Sequence, residues 1–174
     1  NVLMHNPFKR FLLKIASPKK PIEDVKGLYL GNNHFIRVVP QPEGNPEYVS
    51  TLSGVATRFQ LPTQFGNIGL IAHNYLSGKH FLELKPGDSL YIMDGFKRRK
   101  RYVVKSIHRY QALQPQSPHS HFIDLDTQEL STASDVFKRM YTGSHRVVLQ
   151  TCIEKGNIKE WGRYFVVAES APEE

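Results

Sequence analysis

A mainly β fold, a barrel or sandwich built as one domain, is what the sequence predicts, and three observations carry the prediction. Short stretches rich in Val, Ile, Tyr and Phe recur along the chain, each bounded by Gly, Pro, Asn or Asp. One stretch in the second half has a clear helical period. The 174 residues suit a single core, because about 150 residues is the usual size of a domain. A chain of that length buries roughly 70% of its unfolded surface and needs no covalent staples.

The elements follow in order. Phe8, Phe11, Leu12 and Ile15, set against Lys9, Arg10, Lys14, Lys19 and Lys20, make a short basic amphipathic segment. It reads either as a terminal helix packed on the domain or as a segment facing anionic lipid. Pro18 and Pro21 mark the boundary. Leu28–Leu30 and Phe35–Val39 read as strands around Gly31-Asn32-Asn33, a turn able to adopt positive φ. A loop with Pro40, Pro42, Gly44 and Pro46 leads to strands Val55–Phe59 and Ile68–Ala72, the second apolar enough to be central. Leu76–Leu84 can hold a short helical turn. Ser89–Met93 and Tyr102–Ile107 form a hairpin whose basic tip, Lys97–Arg101, reads as a solvated turn or a protected edge. Val136, Phe137, Met140 and Tyr141 define a helix with Thr132 or Ser134 as cap and Gly143 as stop. Arg146–Thr151 and Arg163–Ala168 close the chain as strands. Residues 1–26 thus read as a basic segment and linker, 27–170 as the main domain and 171–174 as a tail.

Composition sets limits. With 40% hydrophobic residues, 10 Phe and 8 Tyr, the chain is not a disordered sequence. Its 23 Lys and Arg against 16 Asp and Glu leave a net charge of +7, which favours acidic surroundings such as nucleic acid, anionic lipid heads or wall polymers without choosing among them. No aromatics interleave the basic tip as in a nucleic-acid stacking platform, so no nucleic-acid partner is expected. No apolar run reaches about 18 residues, the length needed to span a bilayer. The chain begins at Asn1, which leads us to expect a processed form with an upstream signal or anchor. A single Cys excludes an intramolecular disulfide and a Cys-rich zinc cage.

That cysteine, Cys152, stands at the end of an apolar strand and before the polar loop Glu154–Asn157. Reactive groups are often presented where a rigid strand opens into a loop, and a nearby cation favours a nucleophilic thiolate. A small buried hydrophobe is the other reading. His73 also ends an apolar strand, either as a structural imidazole or as the proton partner of a nucleophile. Arg163, one loop and return beyond Cys152, can donate to a developing oxyanion or a substrate carbonyl if those strands are neighbours. Together the three suggest cysteine acyl transfer.

These residues also resemble a known family, the sortases. Leu61–His73 looks like the stretch leading to the family's catalytic histidine. Phe81, Leu84, Gly87, Asp88 and Leu90 match its F-x-x-L-x-x-G-D-x-I-like run, and Val148-Leu149-Gln150-Thr151-Cys152 is similar to T-L-x-T-C with Val148 for the first Thr. Arg163 falls where the family places its arginine. The resemblance covers roughly residues 27–168 and implies an eight-stranded β-barrel with a few short helices, residues 27–170 being the catalytic domain. It implies a cysteine transpeptidase that cleaves an LPXTG-like sorting signal and passes it to an amine. Cys152 would be the nucleophile, His73 the general acid and base, and Arg163 the group that holds substrate and oxyanion. The implied partners are surface proteins bearing the signal and an amine acceptor, a peptidoglycan precursor or a pilin lysine. The implied place is the extracellular face of the cell membrane, through an anchor outside this chain. No cofactor is required. The stretch from His108 to His145 is longer and more polar than the compact connection the family leads one to expect, which bears on substrate preference.

Two further clusters have a sharp and a plain reading. His119-Ser120-His121 with Asp124 and Asp126 could bind a divalent metal if they lay on a strand, whereas Pro115 and Pro118 point to a polar loop. Some sortases bind calcium, and Glu43, Glu47, Asp124 and Asp126 are candidate ligands without diagnostic spacing. We therefore expect no metal. Besides the enzyme, an inactive sortase-fold domain that binds wall, lipid or protein remains open at this level, as does another kind of cysteine peptidase.

Overall fold

The computed structural model describes residues 24–31 and 33–172. The basic amphipathic segment with Pro18 and Pro21, together with Asn32 of the first turn and the last two residues of the tail, lies outside them. Asn33 adopts φ 68°, the left-handed region that a short polar side chain tolerates. The turn it forms folds β1 (Val25–Leu30) back against β2 (His34–Pro40). β3 (Val55–Phe59) pairs in parallel with β2, and a 3-10 helix at Leu61–Phe65 leads into β4 (Ile68–Ile71). A second 3-10 helix, Ser77–Glu83, occupies the helical turn the sequence suggests. β5 (Ser89–Asp94) and β6 (Arg99–Ala112) form the hairpin. The small pair β7 (Phe122–Asp124) and β8 (Leu130–Ser131), which the sequence did not reveal, extends the end of β6. The helix Ala133–Tyr141, β9 (Val147–Lys155) and β10 (Ile158–Ser170) complete the described elements.

Hydrogen bonding runs in the order β10-β9-β4-β3-β2-β1-β5-β6, and β6 pairs back to β10, so eight strands close a barrel. The expected mainly β barrel with a few short helices is therefore the architecture. Its interior is apolar: Leu28, Ile36, Leu70, Phe81, Leu90, Tyr102, Leu149 and Val166 share one buried cluster. Alternate residues turn outward. On β9, Val147 and Leu149 face the interior while Val148 joins a second cluster with Phe122, Val136, Met140, Tyr141 and Phe165. The helix covers that outer face.

Thr132 caps the helix through a reciprocal box. Its hydroxyl accepts from the Asp135 amide at 3.1 Å, and the Asp135 carboxylate accepts from the Thr132 amide at 3.1 Å. Gly143, at φ 97°, follows the helix end as expected. Of the boundaries that differ from the sequence reading, three bear on the site and the basic tip. Arg99, Lys100 and Arg101 belong to β6, so the basic tip is confined to the turn before them. β9 continues three residues past Cys152, and β10 begins five residues before Arg163. The strands read as ending at Cys152 and starting at Arg163 instead project as a hairpin, with an irregular register between Ile158 and Gly162.

Candidate active site

β9 is flanked by β4 in parallel and by β10 antiparallel, and this pairing builds the site. Ile71 stands level with Gln150, and the ladder continues with the Ala72 amide donating to the Gln150 carbonyl at 3.1 Å. One step on, the Thr151 hydroxyl, buried in the barrel, donates to the Ala72 carbonyl at 2.7 Å. Ala72 and Thr151 both face inward, so Cys152, the next residue of β9, and His73, which continues the chain just past the end of β4, emerge on the outer face. Across the other ladder Arg163 lies directly opposite Cys152. Directly opposed residues of an antiparallel pair share a face. The three sequence-predicted residues thus come together, Cys152 on β9, Arg163 on β10 and His73 just past the end of β4, and all three line one groove of about 800 Å³.

The groove has an aromatic floor of Phe59, Phe122, Phe137, Tyr141 and Phe165 and a polar wall from Pro115 to His119. That wall is part of the long connection the sequence marked as unusual. The Tyr141 hydroxyl donates to the Gln150 side chain at 2.6 Å, fixing the helix against the strand that carries Cys152. Full burial pushes the Tyr141 hydroxyl above its usual value, so it stays a neutral donor.

Arg163 is anchored by backbone. Its Nη1 donates to the Glu160 carbonyl at 2.8 Å and the Gly162 carbonyl at 3.2 Å, and its Nη2 to the Pro115 carbonyl at 3.0 Å. The guanidinium also lies 5.9 Å from the centre of the Phe122 ring. Cys152 is half-buried, and burial pushes its thiol above the usual value. The positive charge of Arg163 opposes that shift and the negative charge of Glu160 adds to it. His73 stacks on Tyr75 at 5.1 Å between ring centres, and Lys159 Nζ sits 5.0 Å from the same Tyr75 ring. The Asn74 side chain donates to the Lys159 carbonyl at 3.0 Å. The segment after His73 is thereby clipped onto the irregular part of the β9–β10 hairpin.

Asn74, Tyr75, Gln150 and Glu160 were not singled out from sequence. Asn74 and Tyr75 directly follow His73, which is the signal that would have flagged them; Glu160 reaches the site only through the hairpin irregularity. Of the residues weighed above as possible metal ligands, Asp124 and Asp126 have other partners. The Asp124 carboxylate accepts from the amides of Asp126 and Thr127, closing the β7–β8 turn, and Asp126 pairs with Arg109 at 2.7 Å. His119 and His121 are exposed. Among the described residues, neither these four nor Glu43 and Glu47 form a three-ligand cluster.

No protein-family profile matches the sequence, and no curated protein does. Solved structures do. Sortase A from Listeria monocytogenes is similar at TM-score 0.54 and 16% identity, over 86% of this chain and 89% of that one. Sortase A from Corynebacterium diphtheriae is similar at TM-score 0.56 and 12% identity, over 97% and 70%. Sortase C from Clostridium perfringens is similar at TM-score 0.52 and 18% identity, over 88% and 73%. The chain has the sortase fold.

Proposed function

We propose that the protein is a sortase-type cysteine transpeptidase, with Cys152 as nucleophile, His73 as proton carrier and Arg163 as the substrate and oxyanion clamp. The observation that carries this reading is the register that brings β4, β9 and β10 abreast at the groove. The substrate class is a peptide with an LPXTG-like signal, whose apolar residues suit an aromatic floor.

In the free protein the thiol is protonated at neutral pH, because burial disfavours the thiolate. On attack the Cys152 sulfur bonds to the Thr carbonyl carbon of the signal, and the thiol proton passes to His73. The Arg163 guanidinium carries donors toward the oxygen that becomes negative. His73 then gives the proton to the departing amine as the peptide bond breaks, leaving a thioester on Cys152. An incoming amine, from a peptidoglycan precursor or a pilin lysine, loses a proton to His73 as its nitrogen bonds to the acyl carbon and expels the sulfur, which takes that proton back to restore the thiol. Capture of the thioester by water would make the same site an endopeptidase. No cofactor enters this sequence of steps.

Such an enzyme acts on surface proteins at the extracellular face of the membrane, where a net charge of +7 suits anionic surroundings. No helix among the described residues is long and apolar enough to cross a membrane. The test is intact-mass analysis after incubation with LPXTG-like peptide libraries and an amine acceptor, using wild type and Cys152→Ala. A peptidyl adduct on wild type alone is expected. If no peptide across the library acylates an accessible thiol, while groove binding persists, the chain is a binding module and the transpeptidase reading falls.

A further inference from the structure

A second cluster of chemically capable side chains lies outside the groove. Residues three apart in a 3-10 helix eclipse one another, so His80 and Glu83 present their side chains on one face of the helix Ser77–Glu83. His34, the first residue of β2, meets them there. The His34 and His80 rings stack with centres 3.5 Å apart. His34 Nε2 is 4.0 Å from one Glu83 oxygen, and His80 Nδ1 is 3.8 Å from the other. One donor atom from each residue lies within 4.8 Å of the other two.

We propose that His34, His80 and Glu83 form a binding site for a zinc-class divalent cation. Two imidazoles and one carboxylate are a zinc donor set; bonds of about 2.0–2.2 Å require the donors to close in and the stacked His34 and His80 rings to turn until both lone pairs meet at the ion, a movement open to side chains beside a pocket. A site with so few oxygens does not suit calcium, which takes six to eight. The fourth position opens toward a pocket of about 160 Å³ lined by His34, His80, Ser77 and Tyr75, large enough for ordered water. Two buried polar atoms at this place, His80 Nδ1 and Ser77 Oγ, make no hydrogen bond among the described residues. A metal would take the first and a metal-bound water the second, each otherwise a cost. Lys79 also lines the pocket but is exposed, so its ammonium can turn to solvent.

The site is coupled to the groove through backbone. The His73 carbonyl accepts from the Leu76 and Gly78 amides, each at 3.0 Å, at the start of the same helix. A cation on His80 and Glu83 would tie the far end of this segment to β2 and hold its near end, which carries His73.

The experiment is zinc titration of the metal-free full chain by calorimetry, with cobalt absorption as a second probe. The background is His73→Ala/Cys152→Ala, which removes the groove's own thiol and imidazole and makes the result independent of the transpeptidase reading. One zinc per chain is expected in both proteins. Glu83→Gln and His80→Ala should each weaken it by on the order of 100-fold or more, since even supporting groups around a metal are worth 10–100-fold. Glu83 is 55% exposed, so Glu83→Gln keeps the fold if His80→Ala does not. Zinc should also slow hydrogen exchange at the Leu76 and Gly78 amides in wild type and leave Glu83→Gln unchanged. Equal affinity in wild type and Glu83→Gln would overturn the proposal, as would loss of binding in the groove double variant alone. Absence of any zinc binding below millimolar concentration would do the same.

Discussion

At the scale of single residues, burial and two neighbouring charges set how readily Cys152 gives up its proton. Burial is the largest and raises the thiol, Arg163 lowers it and Glu160 raises it. The rate of iodoacetamide alkylation should therefore rise with pH through a midpoint above that of an ordinary thiol, about 8.5. Glu160→Gln should move that midpoint down and Arg163→Gln should move it up. Shifts of the same sign in both variants would mean that charge does not tune this thiol. That Cys152, His73 and Arg163 would line one groove was legible, because each was read at the end or start of an apolar strand; their chemical roles are those proposed above. Glu160 was not legible, because its influence depends on a register irregularity between Ile158 and Gly162 that no residue pattern announces.

At the scale of elements, close packing behind His73 leaves no room for growth. A Cβ on Gly78 would stand 2.5 Å from the Ala72 carbonyl oxygen and 2.7 Å from that of His73. Gly78→Ala should cost about 1–3 kcal/mol in urea unfolding, the range for overpacking, and should displace His73. Unchanged stability with an unmoved His73 ring, read from its NMR shifts, would contradict that account. The helix Ala133–Tyr141 has its own test. Thr132→Ala should cost about 1 kcal/mol by removing the cap. The hydrogen bonds from Thr132 hold the Asp135 carboxyl below its usual value. Its contribution is present above the unfolded value of about 3.9 and disappears as pH falls through the lower folded one. The stability gap between wild type and Asp135→Ala should therefore close in acid. Strands such as Val55–Phe59 were readable to the residue, since apolar runs and turn residues bracket them. β7 and β8, three and two residues long, are too short to show a period and follow Pro115 and Pro118. The long charged start of β6 hid an alternation in which Tyr102 and Val104 point inward.

At the scale of the whole molecule, closure of β6 on β10 puts every interior side chain in one cluster, so the barrel should unfold as a unit. Leu149 is fully buried between the strands that carry His73 and Arg163. Leu149→Ala should cost about 2–5 kcal/mol, with fluorescence and far-ultraviolet transitions staying coincident. Separate transitions would mean that the sheet opens in pieces. The closed order of strands was not legible from residues alone, because each strand shows its faces but not its neighbours. Parallel pairing of β4 with β9 joins segments 79 residues apart, as the Thr151–Ala72 hydrogen bond shows, whereas Cys152 and Arg163 sit across one hairpin. Contacts between distant segments form slowly, because the intervening chain must first lose its freedom. The β9–β10 hairpin, with Cys152 and Arg163 across it, should therefore form before β4 docks on β9 and brings His73 level with them. On the proposed function, a chain still folding would thus hold its nucleophile before its proton partner arrives.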